Sequence, residues 1–149
     1  MIGYVALAIT VIIIVSVCAR IDNWQRDWST NFAETSVSAA DPDLRPLTLN
    51  QRKTEVAKEI LRWAETQRAW RVVTEDTAGD SIQLHLTRTT PILRMVDDVH
   101  VTIVDERPEG SVDDDWSIVT ATSQSRVGKG DLGQNPRNLK ELCRTLRSK

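Results

Sequence analysis

Hydrophobic and polar positions are distributed very unevenly along this chain. Met1 to Ala19 form an unbroken uncharged run, MIGYVALAITVIIIVSVCA. As a helix at ~1.5 Å per residue it reaches ~29 Å, close to the ~30 Å hydrocarbon core of a bilayer, which predicts a transmembrane anchor over residues 1–19. After a polar stretch, Thr48-x-x-Gln51 fits a capping box, and Val56, Ile60, Trp63 and Ala64 recur on one helical face. Four strand signals follow: Trp70–Glu75, Ser81–Thr89, Val96–Asp105 and Trp116–Ser125. In the second, Ile82, Leu84 and Leu86 alternate with Gln83, His85 and Thr87; in the third, Val99, Val101 and Ile103 share a face. Pro91 predicts a bend or an edge over Thr90–Leu93, and Glu106–Asp115 reads as a polar loop. Asn135-Pro136 predicts the N-terminus of a last helix, Asn as cap, with Leu139, Leu142, Cys143 and Leu146 as its apolar stripe. The order α-β-β-β-β-α predicts an α+β fold. It has two layers, a four-stranded antiparallel sheet and two helices, preceded by the N-terminal transmembrane helix.

Three regions follow: the anchor over 1–19, a juxtamembrane linker over 20–46 with SVSAADPD as its loosest part, and a globular domain over 47–149. Two other readings compete with the anchor. A cleaved signal peptide wants a basic residue before the apolar run, and none is there. A lipoprotein signal ending at Cys18 would have Val17 where a small residue belongs. Trp24 and Trp28 beside Arg20 and Arg26 suit a headgroup zone, or pack under the domain.

The formal charge of −2 lies wholly between Arg20 and Pro46. From Leu47 onward basic and acidic residues balance, which opposes nucleic-acid binding, since phosphate recognition needs a basic surface. Basic residues nevertheless concentrate from Arg126 to Lys149, an end that either leans on an anionic membrane or is neutralised within the fold by the acidic stretch Glu75–Asp115. Cys18 and Cys143 form no CxxC pair, and His85 and His100 stand apart from them, so neither a disulfide framework nor a metal site is expected. No cofactor motif appears.

Candidate chemistry gathers in two places. The period of two carries Arg88 and Asp97 onto the apolar side at strand ends, where a charge needs a partner. Asp98 and His100 fall on the opposite, solvated face, so Asp97 and Asp98 do not share a substrate as an acid–base pair. The second place is Ser123 to Gly133, a strand end running into a Gly-rich loop and a helix start. Its N–H groups with Arg126 and Lys129 suit an anion. Equally, Arg126 bridging Asp97 or Asp98, Asp131 tying the loop and glycines at positive φ would make it structural. The spacing is neither a P-loop nor a dinucleotide fingerprint, and nothing in it supports a Ser–His–Asp triad.

Met95-Val96-Asp97-Asp98-Val99 and Ser123-Gln-Ser-Arg-Val-Gly-Lys-Gly-Asp-Leu-Gly-Gln-Asn135 together resemble the bacterial and plastid family called domain of unknown function 1499. Asp97, Asp98, Ser123, Ser125, Arg126, Gly128, Asp131, Gly133 and Asn135 match its pattern. Thr122 and Asn138 stand where the family usually has Arg, which removes charge from an anion pocket. With Arg88, the matching residues form the candidate ligand-binding or structural motif; no catalytic residue is assigned. The expected function is a membrane-anchored, non-enzymatic binding or assembly module. The alternative is an enzyme or small-ligand binder acting on an anionic or lipid-derived molecule through Arg126 and Asp97. Expected partners are membrane lipid through residues 1–19, a membrane protein, or a small anionic ligand, and no nucleic acid. The expected localisation is a single-pass membrane protein. Arg20 and Arg26 favour a cytoplasmic domain, and the export signals that the resemblance implies favour the other side.

Overall fold

The chain was studied as a computed structural model, which describes residues 2–19, 29–91, 94–106, 109–110 and 115–147. In chain order its elements are α1 (Ile2–Cys18), β1 (Phe32–Glu34), a 3-10 turn (Pro42–Leu44), β2 (Leu47–Leu49), α2 (Lys53–Thr66), β3 (Trp70–Ala78), β4 (Ser81–Thr89), β5 (Val96–Asp105), β6 (Ser117–Ser125) and α3 (Gln134–Arg147). The alternating residues of β4, β5 and β6 explain the architecture. Ile82, Leu84, Leu86, Val99, Val101, Ile103, Val119 and Ala121 all bury on one face of an antiparallel meander. Val56, Ile60 and Ala64 of α2 and Leu139, Leu142, Cys143 and Leu146 of α3 close over that face. The opposite face of the sheet has no layer over it among the described residues.

The expected four-stranded sheet is corrected to six strands, ordered β1-β6-β5-β4-β3, with β2 also paired to β6. The two additional strands have three residues each, too few for alternation to register. They line the far edge of β6, Ala33 opposite Ser123 and Thr48 opposite Ile118. Thr48 is therefore a strand residue and not a helix cap. The helix starts at Lys53, behind Arg52, whose side chain makes no capping bond. Buried Leu47 and the ladder to β6 outweigh a single cap.

The transmembrane helix is also corrected. α1 has 17 residues, ~26 Å of helix, and among the described residues no helix is long and apolar enough to cross a membrane. The single-pass localisation built on it is corrected with it. Arg20, Trp24, Arg26 and Trp28, and most of Glu106–Asp115, lie outside the described residues, as do Ile92, Leu93 and Lys149.

The segment read as a linker, in its described part, lies against the domain. Beyond β1, Asp43 in the 3-10 turn holds Arg144 and Arg147 of α3, and Asp41 holds Lys140. The basic end of α3 is thus neutralised by acidic residues of the preceding segment, and Lys140 draws the Asp41 carboxyl below its ordinary pKa.

Candidate functional site

At one end of the helix–sheet interface the buried layer changes from apolar to polar. Along β5 the inward series Ile103, Val101, Val99 ends in Asp97, and along β6 Val119 and Ala121 lead to Ser123 and Ser125. Opposite them, Asn135 and Asn138 continue the inward stripe of α3, each fully buried. Burying so many polar groups is tolerable only if they bond to one another. Ser125 Oγ donates to Asp97 Oδ1 at 2.6 Å, and Asn138 Nδ2 to Asp97 Oδ2 at 2.9 Å. Ser123 Oγ donates to Asn135 Oδ1 at 2.6 Å, while Asn135 Nδ2 reaches the Asn31 carbonyl at 2.7 Å and Ser125 Oγ at 3.1 Å. Asn138 Nδ2 also contacts Ser123 Oγ, and Gln134 Nε2 donates to Asn138 Oδ1. One closed network therefore joins β5, β6, α3 and Asn31 just before β1.

The loop between β6 and α3 is shaped to deliver those asparagines. Asp131 accepts from the backbone N–H of Gly133 at 2.8 Å and of Asn135 at 2.6 Å, so Asp131 satisfies the helix start. Asn135, expected as the cap, lies inside the helix and faces the core. Gly128 and Gly133 sit at φ 97° and 75°, left-handed backbone that a side chain would strain. The Gly128 carbonyl accepts from Asn31 Nδ2 at 2.8 Å.

Arg126 and Asp98 alone of the motif turn to the open face. Arg126 Nε and Nη2 reach the two Asp98 oxygens at 2.7 and 2.8 Å, and His85 Nε2 lies 2.7 Å from Asp98 Oδ1. The hydrogen bond from Arg126 holds the Asp98 carboxyl down at about 2, against burial and with help from His85; Asp98 in turn raises Arg126. The His85 ring stacks on His100, centroids 4.4 Å apart and planes at 15°. Around them runs an open depression of about 470 Å³ lined by Phe32, His85, Asp98, His100, Thr122, Gln124, Ser125 and Arg126. A second, of about 220 Å³, shares His100 and Thr122 and extends past Thr102 and Thr120 to Glu34 and Thr35. Strand register sets this surface out in rows: Thr74, His85, His100, Thr122, Glu34, and beside it Arg71, Thr87, Asp98, Gln124, Phe32.

The expected constellation of Arg126 with Asp97 is not brought together: the sheet separates them. Arg88 and Asp97 do stand opposite each other on the inner face, as alternation predicts. Asp97 nevertheless takes its bonds from Ser125 and Asn138, and Arg88 Nε approaches Glu141 at 3.4 Å. Arg88 Nε and Nη1 are buried without a hydrogen-bond partner among the described residues. Sequence reasoning left the histidines out of the site. Their outward parity was legible; their pairing was not, because it depends on the register of β4 against β5. Cys143 is buried, and burial pushes its thiol up to about 11, which makes it an unreactive core residue. Among the described residues no cluster of His, Cys, Asp and Glu has the geometry of a metal site.

The Asp98 pair carries a pH prediction. Because the folded carboxyl titrates at about 2, below the ~3.9 of an unfolded Asp, it adds stability above pH ~4 that fades as pH falls toward 2. With Arg126 half exposed, solvent screens the pair and the contribution is small. Arg126→Gln should lower the Tm by a few degrees at pH 6, and the gap should close as pH falls through 2. A Tm gap that persists at the acid end would assign the loss to packing and not to charge.

No curated protein and no solved structure matches the chain. Residues 25–146 match the model of the family described as Protein of unknown function (DUF1499). That span runs from before β1 through almost all of α3 and includes both the buried network and the open face, so the chain belongs to that family.

Proposed function

We propose that this chain is a non-enzymatic binding module whose ligand-facing surface is the open side of the sheet, centred on His85, Asp98, His100 and Arg126. The observation that carries this reading is the division of the motif between the two faces of the sheet. Its hydroxyls, its amides and Asp97 are consumed in a buried network that no substrate reaches. What remains exposed is a preset arrangement of imidazole, carboxylate and guanidinium groups, with no activated nucleophile beside it among the described residues. Ser125, the one serine lining the depression, has its hydroxyl tied to Asp97 and is buried.

Two measurements test the reading. Chromogenic esters, phosphoesters and glycosides should turn over no faster with the protein than without it. Turnover abolished by His85→Ala or Asp98→Asn would replace the binding module with an enzyme. A library of small polar fragments, followed through backbone amide resonances of the full chain, should perturb the outward residues of β4, β5 and β6. Perturbations confined to the α2 and α3 side would move the site elsewhere.

A further inference from the structure

We infer that the open face binds a saccharide chain lying across strands β1, β6, β5 and β4. This rests on the reading of that face as the binding surface and adds the chemical class of its ligand. The composition of the three central rows is the argument. The third row, Asp76, Gln83, Thr102 and Thr120, adjoins the row through His85 and His100. Across all three rows the only apolar side chain is Phe32, and none is lysine. Threonine, glutamine and histidine predominate, short groups that both donate and accept hydrogen bonds. Sugar hydroxyls have the same dual character, whereas ammonium groups only donate and carboxylates only accept.

Charge and polarity oppose the other ligand classes. Asp98 neutralises Arg126 within 2.8 Å, and Arg71 is outnumbered by Glu34 and Asp76 in the rows, so the face has no net positive charge for a nucleic acid or phosphorylated chain. A protein partner of ordinary kind would meet an apolar centre, and the central rows supply one phenylalanine. For a sugar, Phe32 and His100 bring rings to the lining of the depression, and Thr122 and Gln124 beside them bring hydrogen-bonding groups. The two depressions share His100 and Thr122 in their linings, so hydrogen-bonding groups continue along the face from Gln124 to Thr120, as an oligosaccharide requires.

The test is titration of the isotope-labelled full chain with cellotetraose, tetra-N-acetylchitotetraose and maltotetraose, each to about 10 mM, the range suited to weak single-chain contacts. Inorganic phosphate and tetraglycine run as parallel arms. At least one saccharide should shift the amides around His100, Thr122 and Gln124. His100→Ala and Gln124→Ala should each weaken its Kd by about tenfold, and Lys58→Ala on exposed α2 should not. Unchanged amide shifts at Ile60 and Leu139, in the helical layer on the other side of the sheet, establish that the fold is intact. Saccharide shifts elsewhere, or a Kd indifferent to both face variants, overturn the inference. Shifts at this face from phosphate or tetraglycine alone overturn the saccharide and leave the binding face standing. A face that responds to none of the probes overturns both.

Discussion

Asp97→Ala is expected to destabilise the domain by about 3–4 kcal/mol and to lower its Tm by roughly 10–15 °C. The carboxylate is the acceptor for two buried donors, the Ser125 hydroxyl and the Asn138 amide. Removing it leaves both without that acceptor in a region that excludes water, at ~1–3 kcal/mol for each donor left unmade. The mechanism is not the stranding of an inward arginine, as strand parity alone would suggest, because Arg88 turns to Glu141. Asp97→Asn retains the volume and one carbonyl oxygen, and should lose roughly half as much. Asp98→Ala removes a carboxylate whose main partner is half exposed, and should cost about 1 kcal/mol. Thermal melts of the three variants at neutral pH decide the matter. Equal losses for Asp97→Ala and Asp98→Ala would mean that the buried network does not hold β5 to α3. With a total stability of ~5–15 kcal/mol for an ordinary domain, the alanine variant at Asp97 remains foldable and measurable.

A loss of about 3–5 kcal/mol is expected from Trp70→Ala. Trp70 is 1% exposed, the largest side chain buried to that degree among the described residues, and it begins β3 where the sheet meets both helices. Its ring packs against Trp63 with centroids 4.9 Å apart at 57°, an arrangement favourable to aromatic pairs beyond their buried area. Its indole N–H donates to Glu141 at 3.3 Å, and Glu141 is the carboxylate nearest Arg88. Trp70→Phe keeps most of the packing and forfeits that bond, so it should cost about 1–2 kcal/mol. Denaturant unfolding followed by the fluorescence of the remaining tryptophans reports both values. A phenylalanine variant as unstable as the alanine one would place the energy in the polar contact with Glu141 and not in the ring.

Local pattern carried a large share of this fold. Alternation in Ser81–Thr89 and Val96–Asp105 is enough to place β4 and β5, because a half-buried strand writes its two faces into successive residues. The same parity put Asp97 inward and Asp98 outward, and the stripe Leu139, Leu142, Cys143, Leu146 marked the inner side of α3. The resemblance carried by Asp97-Asp98 and the Ser123–Asn135 motif was likewise readable from the residues alone, and the family match bears it out. Three things needed the tertiary structure. β1 and β2 are too short to have a period and exist only because the edge of β6 is there to receive them. The length of a helix is not fixed by composition, and α1 has the 17 residues Ile2–Cys18 where the uncharged run suggested 19. The role of the motif was decided by neighbours far apart in sequence. Asn31 beside Asn135, Asp97 beside Asn138, and His85 against His100 are contacts that strand register and helix docking create. A local periodicity tells which way a side chain points; only the packing of distant elements supplies what it meets there.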